Sequence, residues 1–507
     1  MTRERIIRLT TIGAVCLIYL VLRLWRLTDS CLWFDEIFSL HAATETWTGL
    51  FRLVADDLIH PPLFYLLLKI WISVFGDGQL AARLFPVFFS CLALVPFLFI
   101  CRELKLSTAA CVSALLLLTF NGALIKYAQE VRMYSPFFCL ALFSLWIFLR
   151  YLRLGKNFWV LSLVNLLLVY THYFGWLVVG AEIAAILVLQ RIKIGQMAAM
   201  LGLLVAAFAP WLVAIWRAAG DGDGLAQNIG WIARPDFSAL WQFAADLVEP
   251  FYYQQSSAEA ASKTAVVVPL VLVFAASIAL YFFNWKSKDA EEKKRVVLLL
   301  IFIVLPVIAA LLASWVAPYA VWGTRHLIFV FAPVAVLFAL LLDKIDFEPL
   351  KIGLIALCLS LFAAAFLLQV SRPAPVYVWC AWENLAAGLD DKAPRRIYVF
   401  EDIVAYNLWY ALRAAEPRFE IVKISGIEGV VEDRAYFLPR GFDEIKTTDE
   451  NGIAGARVLL AFRDAVWNEK HPPVRNFRLK GYRFGEPRAI DFGGVKAFLV
   501  EAEKIGN

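Results

Sequence analysis

Eleven apolar runs recur between residues 9 and 370, each close to the roughly 20 residues that carry a helix across a bilayer. Such runs leave a chain few options. In hydrocarbon every backbone N–H and C=O has to be satisfied within its own segment, so the runs must fold as a bundle of helices. They are 9–27, 84–101, 108–125, 136–152, 158–174, 176–190, 197–216, 265–284, 296–313, 327–342 and 352–370. With 61% hydrophobic and only 18% charged residues, the chain cannot be a water-soluble globule. The expected class is an α-helical polytopic membrane protein with about 11 transmembrane helices. Arg3, Arg5 and Arg8 precede the first run and Arg23 and Arg26 follow it, with no small-residue cleavage site. It therefore reads as a retained anchor rather than a signal peptide.

A twelfth apolar segment, 61–75, is shorter, opens on Pro61-Pro62 and carries Lys69. It fits an interfacial helix of the first outer loop better than a span. Charge supports that choice. With the N-terminus cytoplasmic, five basic loops face inward: Arg102/Lys105, Arg150/Arg153/Lys156, Arg191/Lys193, the stretch 286–295 and Lys344/Lys351. Counting 61–75 as a span would turn all five outward, against the positive-inside bias. These loops also account for the net charge of +5, which calls for no nucleic-acid partner.

From residue 372 the composition changes. Strands are expected at 395–400, 419–424, 435–438, 456–462 and 495–501, with an amphipathic helix at 403–412. The chain thus divides into a transmembrane module, 1–371, and an extracytoplasmic α/β domain, 372–507. The latter has no phosphate-cradling glycine loop and no evident catalytic pair, so a structural or acceptor-docking role is expected. Of the eight cysteines, six lie in apolar runs and read as packing residues. Only Cys31 and Cys380 fall outside the bilayer; a disulfide between them is the less favoured reading.

This topology gathers the polar chemistry on one face. Asp35 and Glu36 follow Trp33-Phe34; His60 precedes Pro61-Pro62; Arg83 follows Gly76-Asp77-Gly78. Further along come Gln129-Glu130-Val131-Arg132-Met133-Tyr134, Thr171-His172-Tyr173 and Gly323-Thr324-Arg325-His326, and His41 and the hydrophilic insertion 217–264 fall on the same side. Each motif has a plainer alternative. Asp35 and Glu36 suit a helix N-terminus, the tyrosines suit an aromatic belt, and a terminal Arg325 can snorkel to headgroups. Yet arginine presents a planar fork matched to phosphate, and His172 could reach a sugar hydroxyl or a phosphate. A transporter would instead place ionisable groups near the midplane of a repeat, where Glu182 is almost the sole candidate.

In their order, Trp-Phe-Asp-Glu, His-Pro-Pro-Leu, Ala-Ala-Arg, Gln-Glu-x-Arg-x-Tyr, Thr-His-Tyr and a late Gly-x-Arg-His resemble the polyprenyl-phosphate-dependent glycosyltransferases of the GT-C fold. Protein O-mannosyltransferases, lipid A aminoarabinose transferases and lipopolysaccharide-core sugar transferases share this module. The resemblance covers about residues 1–370 and extends weakly to 395–412. It implies an inverting transferase of the bacterial inner membrane, moving a monosaccharide from a polyprenyl (undecaprenyl) phosphate to an envelope glycolipid, glycan or protein. Asp35 would be the base, with Glu36 beside it. His60, Arg83, Arg325 and His326 would serve the donor phosphate, with Arg132, Tyr134, His172 and Tyr173 as further substrate contacts. Where relatives often carry tyrosine after the late arginine, this chain has His326. No cofactor or metal is expected, a divalent cation bridging carboxylate and phosphate being the alternative. A lipid-linked glycan polymerase or ligase and a lipid or solute transporter are the competing readings.

Overall fold

The computed structural model describes residues 3–189, 193–219, 228–251, 260–371, 378–390, 392–415, 418–427, 430, 437–492 and 495–505. The chain divides into two compact units. One comprises Met1–Leu27, Ile59–Asp221 and Ile232–Pro373; the other comprises Thr28–Leu58, Gly222–Trp231 and Ala374–Asn507. Trp33-Phe34-Asp35-Glu36 therefore groups with the C-terminal residues, although it lies just after the first apolar run.

Among the described residues of the first unit, eight helices are long and apolar enough to cross a membrane: Ile6–Leu24, Gln79–Glu103, Tyr134–Leu154, Ile194–Ala218, Thr264–Phe283, Ala290–Val316, Thr324–Asp343 and Glu348–Val370. The other three expected runs form the shorter apolar helices Thr108–Phe120, Phe158–Thr171 and Gly175–Leu189. Leu63–Phe75 is a helix of 13 residues, in keeping with an interfacial segment. The chain is thus a multi-pass membrane protein. Large apolar side chains such as Leu17, Val21, Val188, Leu272 and Leu367 remain exposed on the bundle, as lipid contact requires. The stretch 331–342 is buried at every position and runs through the middle of the packing.

Polar braces hold the bundle where helices end. The Arg23 guanidinium, fully buried, donates to the carbonyls of Leu118 (2.8 Å) and Thr119 (2.6 Å) and lies 3.4 Å over the Tyr19 ring. It thereby satisfies carbonyls that the end of helix Thr108–Phe120 leaves open. Asn121 Nδ2 donates to the Asp246 and Leu247 carbonyls at 2.9 and 3.2 Å. Glu182 accepts from Ser144 Oγ and Asn165 Nδ2, both at 2.6 Å, joining three helices. That buried carboxyl is a satisfied cross-link rather than an open ion site.

The second unit is built on a mixed sheet of β1 (Arg396–Val399), β2 (Glu420–Ile424), β3 (Lys446–Thr448), β4 (Arg457–Asp464), β5 (Tyr482–Phe484), β6 (Arg488–Asp491) and β7 (Lys496–Lys504). The order is β3-β2-β1-β4-β7-β5, with β6 also on β7. Pairing is parallel through β4 and antiparallel around β7. Alternate residues of β1, β4 and β7 (Tyr398, Leu460, Phe498, Val500) pack with Val474 and Phe477 of helix Pro472–Leu479 in one core. The strands expected near 397, 422, 459 and 498 and the helix near 407 are all present. β3, β5 and β6 are not among the expected strands; β3 and β5, with three residues each, are too short for a two-residue period to show. Ala435 and Tyr436 of the remaining expected strand lie outside the described residues, and Phe437 and Leu438 are not strand.

Cys31 and Cys380 form a disulfide, with Cα atoms 5.3 Å apart across 349 residues. This corrects the expectation that they stay unpaired: sequence separation says nothing about proximity when a loop folds against a distant segment. Such bonds persist in oxidising compartments. Replacing both cysteines by serine is expected to lower the stability of this unit by about 2–4 kcal/mol. Thermal unfolding in detergent measures it, and an unchanged midpoint would count against the bond.

Candidate functional site

The first unit brings six of the sequence-selected residues into one neighbourhood from four parts of the chain. His60 lies ahead of helix Leu63–Phe75, where Pro61-Pro62 fixes the entry direction. Arg132 and Tyr134 stand at the start of helix Tyr134–Leu154. His172 ends helix Phe158–Thr171. Arg325 and His326 occupy the 3₁₀ turn Thr324–Val330 that leads into Phe331–Asp343.

The imidazoles form a row. His60 and His172 have ring centroids 5.6 Å apart, and His172 and His326 5.4 Å. Tyr134 is 6.3 Å from His172, and the Arg325 guanidinium is 6.0 Å from the Tyr134 ring. Phe137 stacks on His172 at 4.9 Å, and Phe174 meets His326 at 5.1 Å. His60, His172 and Arg132 are buried, whereas Arg325 and His326 are partly exposed. Burial is the main cause that holds His60 well below the usual histidine range, and the positive charges of Arg132 and Arg325 push the same way. The His60 ring is therefore a neutral donor or acceptor beside two cations.

Hydrogen bonds settle the tautomers at two of the rings. The backbone N–H of Phe174 donates to His172 Nδ1 at 3.1 Å, so the neutral ring carries its proton on Nε2. That Nε2 is buried and has no hydrogen-bond partner among the described residues. His326 Nδ1 is 3.0 Å from the Val321 carbonyl, which can only accept. Its proton is therefore on Nδ1, and Nε2 keeps the lone pair in the neutral ring. Gly323 permits this placement, because a Cβ there would sit 3.2 Å from His326 Nδ1.

Gln129 braces the segment that carries Arg132. Its side-chain amide donates to the carbonyls of Arg23 (3.0 Å) and Trp25 (2.7 Å) at the end of the first span. Ser135 Oγ donates to the Tyr127 carbonyl at 2.9 Å. Two selected residues point to other partners. Arg83 donates to the Leu27 carbonyl at 2.9 Å, and the Tyr173 hydroxyl accepts from Trp211 Nε1 at 3.1 Å. Phe137 was not singled out in the sequence, where it is an ordinary member of an apolar run, and Phe174 and Gly323 were given no role of their own beside the motif residues.

In the second unit, Asp35 and Glu36 occupy the first turn of helix Phe34–Thr44. Glu36 is only 1% exposed, and its carboxylate accepts from the Trp33 backbone N–H at 3.1 Å. It therefore caps the helix in the manner of a capping-box glutamate. Asp35 is partly exposed. Phe34 packs on Tyr406 at 5.1 Å, which holds the turn. His41 Nδ1 is 2.9 Å from the Tyr406 hydroxyl, with Trp409 and Phe442 around the ring. Burial pushes its pKa down, with Glu45 opposing, so His41 is a packed core histidine. Among the described residues, no group of three or more His, Cys, Asp or Glu side chains is disposed to hold a metal ion.

A membrane bundle with these helices and an appended mixed sheet is the GT-C fold. Among solved structures sharing it is ArnT from Cupriavidus metallidurans. Its complex with undecaprenyl phosphate matches at TM-score 0.57 and 11% identity over 97% of each chain. Its apo form matches at TM-score 0.57 and 10% identity over 99% of this chain and 98% of that one. The apo oligosaccharyltransferase of Archaeoglobus fulgidus matches at TM-score 0.48 and 14% identity over 80% of this chain and 63% of that one, too weakly to add to the fold assignment. No protein-family model and no curated protein matches the sequence.

Proposed function

We propose that this protein is an inverting glycosyltransferase. It moves a monosaccharide from a polyprenyl phosphate to an acceptor hydroxyl on an envelope glycolipid, glycan or protein, at the outer face of the inner membrane. The observation that carries this reading is the pair of guanidiniums, Arg132 and Arg325, gathered with neutral imidazoles within a GT-C bundle, the guanidiniums being suited to phosphate. ArnT, which shares the fold, has been seen with undecaprenyl phosphate bound. The Cys31–Cys380 disulfide supports an extracytoplasmic location for the second unit and hence a cytoplasmic N-terminus.

The chemistry follows from the residue types. As the glycosidic bond breaks, the leaving phosphate gains negative charge. Arg132, which is buried, and Arg325, which is partly exposed, stabilise that charge as positioned cationic donors. The acceptor hydroxyl attacks the anomeric carbon from the opposite side and gives up its proton to a carboxylate. Asp35 is that base in our reading, and Glu36 orients it by fixing the first helical turn. Arg83 and Tyr173 act as supports, through Leu27 and Trp211.

The test is transfer in proteoliposomes supplied with undecaprenyl-phosphate-linked sugars. Inverted product configuration and activity that survives EDTA are expected. A retained configuration would overturn single displacement, and EDTA loss restored by Mn²⁺ or Mg²⁺ would overturn metal independence. Failure of the wild type to bind any polyprenyl-phosphate carrier would overturn the assignment itself. Mass spectrometry of envelope glycolipids and glycoproteins from a deletion strain would identify the sugar and its acceptor.

A further inference from the structure

The two tautomers make neighbouring rings opposite in kind. His172 offers a buried N–H with no partner in the described protein, and His326, at 5.4 Å between centroids, offers a lone pair. A phosphate dianion could satisfy the first but would be repelled by the second. A hydroxyl satisfies both, because its oxygen accepts from one ring while its proton is donated to the other. Neither ring can easily exchange roles. Reversing His172 would set an N–H against the Phe174 N–H, and reversing His326 would set a lone pair against the Val321 carbonyl. The stacking of Phe137 on His172 and the packing of Phe174 on His326 restrain the ring planes.

Resting on the glycosyltransferase reading, we propose that His172 and His326 form a hydroxyl-recognition subsite that binds one OH group of the donor's sugar, with His172 Nε2–H donating to its oxygen and His326 Nε2 accepting its proton. Arg132 and Arg325 serve the phosphate, so the site has a phosphate side and a sugar side. The neutral His326 ring, with its proton on Nδ1, can only accept at Nε2. Losing a hydroxyl from the sugar leaves the buried His172 N–H without a partner, which is how such sites reject deoxy analogues.

The experiment measures binding of two kinds of probe to the full-length protein in detergent or nanodiscs. One is bare undecaprenyl phosphate; the other is a panel of undecaprenyl-phosphate-linked hexoses and pentoses, from which the sugar held best by the wild type is used. His326→Asn keeps a donor near Nδ1 for the Val321 carbonyl but removes the acceptor at Nε2. His326→Gln places an amide oxygen near the Nε2 position. His326→Asn is expected to weaken the sugar-linked probe by roughly 10-fold and leave the bare carrier unchanged, with His326→Gln recovering part of the loss. His172→Phe, which keeps a ring on Phe137, is expected to show the same selective loss. Equal weakening of both probes, no weakening of either, or no recovery with glutamine would overturn the subsite. So would a wild type that holds the sugar-linked probe no better than the bare carrier. A wild type that binds neither probe would instead overturn the glycosyltransferase reading on which the subsite rests.

Discussion

Asp35→Asn is expected to lower turnover by about 10²–10⁴-fold, the usual contribution of a positioned general base, while affinity for undecaprenyl phosphate stays as in the wild type. Asparagine has nearly the same volume and leaves the Glu36–Trp33 bond and the Phe34–Tyr406 contact in place. If Asp35 served only the positive end of its helix, the same change would remove about 0.3–1 kcal/mol of stability and spare turnover. The two roles therefore separate cleanly. Glu36 is the control: Glu36→Gln retains an oxygen that can accept from the Trp33 N–H and is expected to keep most activity. Single-turnover assays and carrier binding measured side by side distinguish these outcomes. An Asp35→Asn protein with normal turnover would sink the base assignment.

Arg132→Gln is expected to reduce turnover by about 10²–10³-fold, comparable to removal of one donor from a charge-stabilising site, and to weaken carrier binding as well. Arg132 is 5% exposed and lies at a helix start braced by Gln129 and Ser135, so its position is determined by neighbours other than a ligand. Lysine should rescue poorly, because it supplies a point charge in place of the planar fork. An Arg132→Lys variant with full activity would mean that only net charge matters there. Full activity in Arg132→Gln would remove Arg132 from the site.

Much of this architecture is readable from hydrophobic length alone. Apolar segments of bilayer length must be helices, and each expected run is one, though three are shorter than a full crossing. Four of the expected strands appeared because each carries a short run of apolar residues bounded by polar ones; β5, with three residues, is too short to stand out. His60, Arg132, Tyr134, His172, Arg325 and His326 were legible as polar interruptions at the same ends of apolar runs, since a bundle necessarily gathers such ends. The direction in which a side chain turns was not legible. Nothing in the spacing of Arg83 or Tyr173 reveals that the one donates to the Leu27 carbonyl and the other accepts from Trp211. Nor does adjacency reveal that Glu36 is the buried one of the pair and accepts from the Trp33 N–H. Tautomers lie further still from sequence, because they depend on backbone groups at Phe174 and Val321.

The bond between Cys31 and Cys380 also has a temporal meaning. During synthesis Cys31, beside the segment bearing Asp35, leaves the ribosome 349 residues before its sulfur partner. For most of translation the early thiol waits while the intervening helices are inserted. Biogenesis is thus gated by delivery of the tail: a nascent chain halted before Cys380 can hold its helices in the bilayer, yet has no means of closing the covalent ring around the Asp35 segment.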